Sequence, residues 1–573
     1  MGRSRNRSFP RRVGLNRRDF LRRAGGSAAA IGVIPFLPGC SDSSGTGSAG
    51  GSVGTLSFNH GVASGDPLSD RVMLWTRVTP SGSGTITGSY VVATDTALRN
   101  VVQQDSFTTD ATRDYTVKID RTGLLPNTTY YYRFSAGGVD SPIGRTKTLP
   151  TDSIDRLRIG VTVCASLAHG YFNVYQRIAD RTDLDLVVHL GDYIYEYSSD
   201  PAGGQVYGTA RTYEPVHEII SLSDYRTRHA QYKREPELIA MHRQHPMIAI
   251  WDDHEFANNA WVGGAENHND NGFVEGDWNV RVANALQAYY EWMPVRPTGP
   301  NNPRTNYRNF QIGDLAELFM LEERVGSRAQ QITPTINTSS GLAVFTQTGD
   351  FTDPSRQLLG LTEEQWLYER LRSSTAKWKL IGQGVMMAQL KLLGSPNAVN
   401  LSQYLNPDQW DGYDPVRQRV FNVLKGDATN PPVTNVVVLT GDIHTAFAND
   451  LTPDPNNAVV AAGGYNRVTG EGSLAVEFIA TSVTSPGFEA LGGVQNTLLA
   501  TNPHIMYLKG ARGYLLLDVR ADRVSGEFWY VDTIAQRSPN ESFDTAYEVQ
   551  RNANHLTAGT LSDPKPNPPA PAP

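Results

Sequence analysis

"VVHLGDYIYEY" spans Val187 to Tyr197. It begins as an apolar run of the kind that fills a strand buried on both faces, and it stops abruptly at Gly-Asp. Asp192 and Tyr195 then stand three residues apart at the carboxyl end of that strand. A polar-capped turn explains the pair blandly, since Asp after Gly is common there. A metal site explains it more sharply, and the rest of the chain must decide.

From Leu157 onward, short apolar runs alternate with helical patterns. "LRIGVTVCAS", "LDLVVHLGD", "PMIAIWDDHE", "LAELFMLEER", "WKLIGQGVMM" and "NVVVLTGDIH" read as buried strands. Helices are expected near 172–179, 224–233, from the Asp277 cap through "WNVRVANALQAYYEWM", after "LTEEQW" and over "DPVRQRVFNVL". "SLAVEFIATSV", "GYLLLDVRAD" and "SGEFWYVDT" add late strands. The pattern predicts an α/β domain over 155–555, two sheets packed as a sandwich and covered by helices. Ligands in such sheets bind beyond the carboxyl ends of strands. Four separate ends carry metal-competent groups: Cys164; Asp192 with Tyr195; Asp252 to Glu255, with Asn258 and Asn259 close behind; and Asp442 with His444.

Carboxylates crowded at one locus repel, and they stay ionised only with cations between them. Thiolate, phenolate, imidazole and carboxylate together suit a trivalent transition metal such as iron. Asp192, Asp253 and Asp442, with Asn258 or Asn259, form an oxygen-only set suited to calcium, magnesium or manganese. Asp192 is placed to bridge two ions.

These ends resemble those of the metallophosphoesterase superfamily, and in detail those of the PhoD-type alkaline phosphatases. Purple acid phosphatases share the Gly-Asp-x-x-Tyr block, here Gly191, Asp192 and Tyr195. Where they have Asn-His-Glu, this chain has Asp253, His254 and Glu255. Where they have Gly-His-x-His, it has Gly441, Asp442, Ile443 and His444, and Cys164 replaces an Asp. Those replacements are the PhoD-type ones. "GVASGDP" (61–67), "DYRTRHAQY" (224–232), "EWMPVR" (291–296) and "DQWDGY" (408–413) add to the resemblance. It implies an αββα metallophosphoesterase domain with iron(III) held by Cys164, Asp192, Tyr195 and His444. It also implies calcium held by Asp192, Asp253 and Asp442, with Asp252, Asn258 and Asn259 as candidates for a second calcium. Arg226 looks like the family's phosphate-contacting arginine, whose bland alternative is a surface helix charge. "LEERVGSR" stands where the family more often shows Leu-Asp-x-Arg, which leaves the role of Glu322 or Arg324 open.

The resemblance implies hydrolysis of phosphate monoesters and diesters by cation-activated water, for phosphate acquisition. His254, beside a ligand, is expected to stabilise the transition state or protonate the leaving group, or else to orient Asp253. A phospholipase D-like lipid phosphodiesterase is the same-site alternative. A non-catalytic surface-binding protein is a further one, and calcium staples that merely support folding are the blandest.

Residues 55–150 read as short alternating strands, a fibronectin-like β-sandwich in which Tyr130 of "LLPNTTYYYRF" is the corner tyrosine. Before them, "NRRDFLRRAGG" with "SAAAIGVIPFLPGC" reads as a twin-arginine export signal over 1–39. The expected partner there is the twin-arginine translocation machinery. "LPGC" resembles a lipobox that would place lipid on Cys40, with 40–54 as a flexible linker. The expected location is therefore periplasmic, extracellular or lipid-anchored at the cell envelope. Removing residues 1–39, with nine Arg and one Asp, takes the formal charge from −7 to −15. Such acidity argues against general nucleic-acid binding. Of the two cysteines, a lipidated Cys40 leaves Cys164 without a disulfide partner. The Pro-rich end, 556–573, is expected to be disordered.

Overall fold

The computed structural model describes residues 52–573 except 270–273, 300–301, 335, 338–342, 395–401 and 489–494. The export signal, Cys40 and most of the expected linker lie outside the described residues. No helix among those described is long and apolar enough to cross a membrane.

Two large sheets dominate. In the first, Arg156–Thr162, Leu186–His189 and Pro246–Ala249 run parallel, and Gly513–Arg520, Arg523–Val531, Glu541–Gln550 and Leu556–Ala558 extend one side as an antiparallel meander. In the second, Ala316–Met320, Trp378–Gly382, Val436–Thr440 and Ala475–Ile479 run parallel. The period-2 alternation of a strand sends Leu186 and Val188 one way and Val187 the other. Leu186 and Val188 join Ile159, Val161, Leu318, Leu380, Val437 and Phe478 in one buried cluster between the sheets. Val187, Met247 and Ala249 pack instead with Val174, Ile178, Met241 and Val282 of the covering helices. Phe319, Ile381 and Val438 do the same with Leu367, Leu371, Val420 and Phe421. The layers therefore run helix, sheet, sheet, helix. Each fully buried aliphatic side chain contributes roughly 1.5–3 kcal/mol to that stack.

The N-terminal strands do not form a separate unit. Val62–Gly65 pairs parallel with Pro246–Ala249, and Arg71–Arg77 and Thr116–Thr122 follow it in the same ten-stranded sheet. Ile86–Ala93, Val101–Thr109, Thr129–Ala136 and Gly144–Lys147 make a second sheet. Val72, Leu74 and Val117 pack with Tyr90, Val92 and Phe134 between the two. The Tyr130 hydroxyl accepts from the Leu125 N–H at 2.8 Å. The boundary near residue 150 thus parts the chain but not the sheet, because the edge of the parallel strands needs a partner.

Helices at Asn173–Asp180, Leu222–Tyr232, Trp278–Trp292 and Asp414–Lys425 lie where the pattern placed them, Leu361–Ser373 begins with "LTEEQW" rather than after it, and Asp277 caps the third. Pro236–Gln244 is an additional helix. Its proline sits in the first turn, where no N–H is needed, so a residue that reads as a break is a start.

The C-terminal segment is a correction to the expected disorder. Leu556–Ala558 is a sheet-edge strand. Beyond it, Asp563 O accepts from Arg158 at 3.1 Å and Pro569 O from Arg145 at 3.2 Å. Tyr131 donates to Ala570 O at 2.6 Å, and Gln244 exchanges two hydrogen bonds with Ala572. A proline-rich segment lacks donors but keeps its carbonyls, and here Arg158 of the first sheet and Arg145 and Tyr131 of the five-stranded sheet take them.

Candidate metal centre

The strand ends converge. Asp192 and Cys164 are fully buried or nearly so, at 1 % and 0 % exposure. One potential ligand atom from each of Cys164, Asp192 and His444 lies within 4.8 Å of the others, and the same holds for Asp192, Asp253 and His254 and for Asp252, Asp253 and Asp442. Tyr195 Oη donates to Asp192 Oδ2 at 2.9 Å and sits 3.2 Å from His444 Nε2. Ser485 Oγ donates to the same phenol at 2.7 Å, and His444 Nδ1 donates to Pro486 O at 2.8 Å. His444 is thereby turned with Nε2 toward Asp192.

Local backbone geometry explains how the chain delivers these groups. Cys164, Asp192, Asp442 and His444 all have φ between 55° and 58°. That left-handed conformation is costly for residues other than glycine, and it concentrates at functional sites. Gly191 precedes Asp192 because a Cβ there would come 2.3 Å from Asp252 Cβ. The Glu255 carboxylate then pins the turn, accepting from the N–H groups of Asp192 at 3.0 Å, Tyr193 at 2.6 Å and Asp252 at 2.7 Å.

Electrostatically, the cluster is short of cations. Arg324, wholly buried, donates to Asp252, to Asp442 Oδ1 at 2.8 Å and to Asp408 Oδ2 at 2.9 Å, and lies 3.5 Å from Asp253 Oδ1. Asp252 Oδ2 and Asp253 Oδ1 are nevertheless buried without a hydrogen-bond partner. Burial pushes Asp252 up despite Arg324, and Asp442 up to about 6 in the same way. Burial, followed by the charge of Asp192, raises the Cys164 thiol and the Tyr195 phenol far above their usual ranges. Orphaned carboxylate oxygens and donors that ionise only beside positive charge fit a centre built for metal ions. The sulfur, phenol and imidazole lie on one side of Asp192 and the carboxylates on the other, so the donor set fits two different ions.

His254 stacks on the Tyr195 ring with centroids 4.2 Å apart. Its Nδ1 donates to Glu196 Oε2 at 2.7 Å. Burial disfavours the imidazolium, but Glu196, Asp253 and Asp192 outweigh it and raise its pKa well above the usual value. Glu196 Oε1 also accepts from Asn258 N at 2.7 Å and Asn267 Nδ2 at 2.9 Å.

Two expectations fail. Arg226 is not beside the acidic ends. Its guanidinium makes a two-pronged pair with Glu291, at 2.7 Å for each bond, and donates to Thr112 O at 2.8 Å. Arg228, on the opposite face of that helix, is the arginine that meets the Tyr195–Tyr197 turn, donating to the carbonyls of Tyr195 and Tyr197. Asn258 offers its backbone to Glu196, and its side-chain amide donates to Glu266 at 3.2 Å rather than facing the carboxylates. Asn259 N–H holds Asp253 Oδ2 at 2.5 Å. Glu196, Asp408 and Ser485 are residues beside the cluster that sequence reasoning did not single out, and Glu255, read only as part of a motif, holds the turn. Only Arg324 had a signal, through the Leu-Asp-x-Arg comparison.

The model of the PhoD-like phosphatase family matches residues 159–528, and that of its N-terminal domain matches 45–150. This chain therefore belongs to the PhoD-like phosphatases, hydrolases of phosphoric esters. Alkaline phosphatase D of Bacillus subtilis (strain 168) is 34% identical over 511 residues, 87% of this chain and 82% of that protein. A solved PhoD structure superposes with a TM-score of 0.76 at 33% identity, covering 88% of this chain and 92% of the other.

Proposed function

We propose that this protein is an exported, metal-dependent alkaline phosphatase that hydrolyses phosphate monoesters and diesters for phosphate acquisition. On this reading residues 55–150 are a fibronectin-like sandwich sharing a sheet with an αββα metallophosphoesterase domain. The N-terminal signal engages the twin-arginine machinery, and lipid on Cys40 anchors the product at the cell envelope. The observation that carries the catalytic reading is the cluster of buried Cys164, Asp192, Tyr195 and Asp253 with half-buried Asp442 and His444, and the orphaned oxygens on Asp252 and Asp253.

Iron(III) would be held by Cys164, Asp192, Tyr195 and His444, and calcium by Asp192, Asp253 and Asp442. Bound there, such ions lower the pKa of water and draw negative charge off phosphoryl oxygens. The chain does the rest. Asp192, held by Tyr195 and by the turn pinned on Glu255, keeps both halves of the centre in register. Glu196 takes the proton-bearing Nδ1 of His254, which leaves Nε2 as the atom able to give a proton to the leaving alkoxide. Burial of the cluster excludes bulk water, so each charge acts at closer to full strength.

The test joins elemental analysis with turnover on an aryl monoester, its bis ester and phosphatidylcholine. Iron and calcium in the purified protein, visible absorption from tyrosinate–iron(III) and hydrolysis of the first two esters are expected. A colourless, iron-free protein inactive after metal loading sinks the reading, and preference for phosphatidylcholine converts it to a lipid phosphodiesterase. For His254→Ala, metal content should hold while turnover on alkyl esters falls about 10²–10⁴-fold.

A further inference from the structure

A groove of about 540 Å³ opens beside the metal centre, lined by Asn259, Trp261, Glu266, His268, Gln331 and Pro407 among others. Its inner end is made of residues that hold the cluster. Asn259 N–H caps Asp253, and Gln331 Nε2 donates to Asn259 O at 3.0 Å and to Asp408 Oδ1 at 2.5 Å. Asp408 in turn receives Arg324. A phosphoryl group at the carboxylates would therefore have its organic substituent at the mouth of this groove.

The chemistry of the lining is selective. Glu266 is exposed and accepts from both Asn258 and Asn259 amides. The His268 side chain closes the groove from behind: it is only 6 % exposed, and its Nδ1 meets Glu275 Oε2 at 2.9 Å and Arg281 Nη1 at 3.3 Å. The acceptor the groove presents to O–H donors is the exposed Glu266 carboxylate, which also repels further negative charge. Trp261 supplies a flat apolar wall. It is clamped by paired backbone bonds to Gly264, where a Cβ would come 2.6 Å from the indole.

Resting on the hydrolase reading above, we propose that this groove binds the leaving group and selects a neutral ring sugar, hexose or ribose. One face of the ring lies on Trp261, and its hydroxyls donate to Glu266. The sugar is recognised as the alcohol half of its phosphate ester, so substrates are sugar phosphates in preference to simple alkyl phosphates.

The experiment uses the full metal-loaded chain and three esters of primary alcohols. They are glucose 6-phosphate, cyclohexylmethyl phosphate (the same bulk without hydroxyls) and methyl phosphate. Wild type should favour glucose 6-phosphate by kcat/KM. In Trp261→Ala the ratio of glucose 6-phosphate to methyl phosphate should fall about tenfold, and Trp261→Phe, which keeps a ring should Ala fail to fold, should retain most of it. In Glu266→Gln the ratio of glucose 6-phosphate to cyclohexylmethyl phosphate should fall about tenfold, the cost of a hydrogen bond to a charged group. Ratios unmoved in all three variants overturn the groove and leave the hydrolase standing. A metal-loaded wild type inactive on every ester overturns the hydrolase reading itself, and the groove with it.

Discussion

Two sets of buried or half-buried aspartates, one before Leu186–His189 and on Gly513–Arg520, the other just beyond Pro246–Ala249 and Val436–Thr440, are balanced in opposite ways. Asp183, Asp185 and Asp518 are met by cations from the chain. Arg158 reaches Asp183, Arg156 reaches Asp518, and Lys147 and Lys565 both close on Asp185, the first at 2.7 Å. Burial works against the Asp185 and Asp518 carboxylates, yet these partners hold both below the usual range. At the metal centre, Arg324 is the one guanidinium, among the described residues, within ion-pair distance of Asp252, Asp253 and Asp442. Burial pushes Asp252 and Asp442 up, Arg324 holds only Asp253 low against its burial, and Asp252 Oδ2 and Asp253 Oδ1 stay without a hydrogen-bond partner. The same residue type is structural where the chain supplies the counter-charge. On the proposed reading it serves the metal centre where the chain withholds that charge.

Asp192→Asn is the strongest way to break that contrast. The amide cannot bridge two cations, so kcat/KM should fall at least about 10²–10³-fold, the size seen when one charge-stabilising group is removed. Iron and calcium content should fall with it, while the apo protein unfolds at no lower temperature. Asp185→Asn should do the reverse, losing stability but keeping activity per folded molecule. A metal-replete, active Asp192→Asn would erase the distinction.

Glu196→Gln sharpens it from beside the centre. The neutral amide no longer supports the imidazolium charge, so His254 holds its acidic proton less firmly and less of it is protonated for the leaving group. An outer partner of this kind is worth about 10–100-fold in activity. The loss should be greater on alkyl than on aryl esters, because only the former need a proton for the leaving oxygen. Equal losses on both would make Glu196 a mere support for the Asn258 turn.

Much of this was legible because parallel strands are apolar throughout, so polar residues at their carboxyl ends stand out. Asp192, Asp442 and Cys164 were visible for that reason. Arg226 was misread because helical residues two apart face opposite ways: Arg228 turns to the Tyr195 carbonyls and Arg226 to Glu291. Glu196 was hidden because its partner, His254, is 58 residues away. The tail was misread because composition carries no trace of partners such as Tyr131, 439 residues upstream of Ala570.

The tail also provides the smallest and most diagnostic test. Lys565→Met removes one of the two ammonium groups on Asp185 and should cost about 1.5–3 kcal/mol near neutrality, as a hydrogen bond to a charged group does. The pH dependence distinguishes this from a packing defect. Asp185 has a folded pKa below its unfolded value of about 3.9. Its contribution is therefore fully present above that value and is lost as pH falls through the depressed folded pKa. With Lys565 gone the depression shrinks, so the variant's deficit should be largest from neutrality down to about pH 5 and close as both proteins are acidified. Urea midpoints measured from pH 7 to pH 2 on the metal-free chain would show it. A deficit constant across that range would mean the tail holds through its carbonyl contacts alone, and that Asp185 is balanced by Lys147 without help.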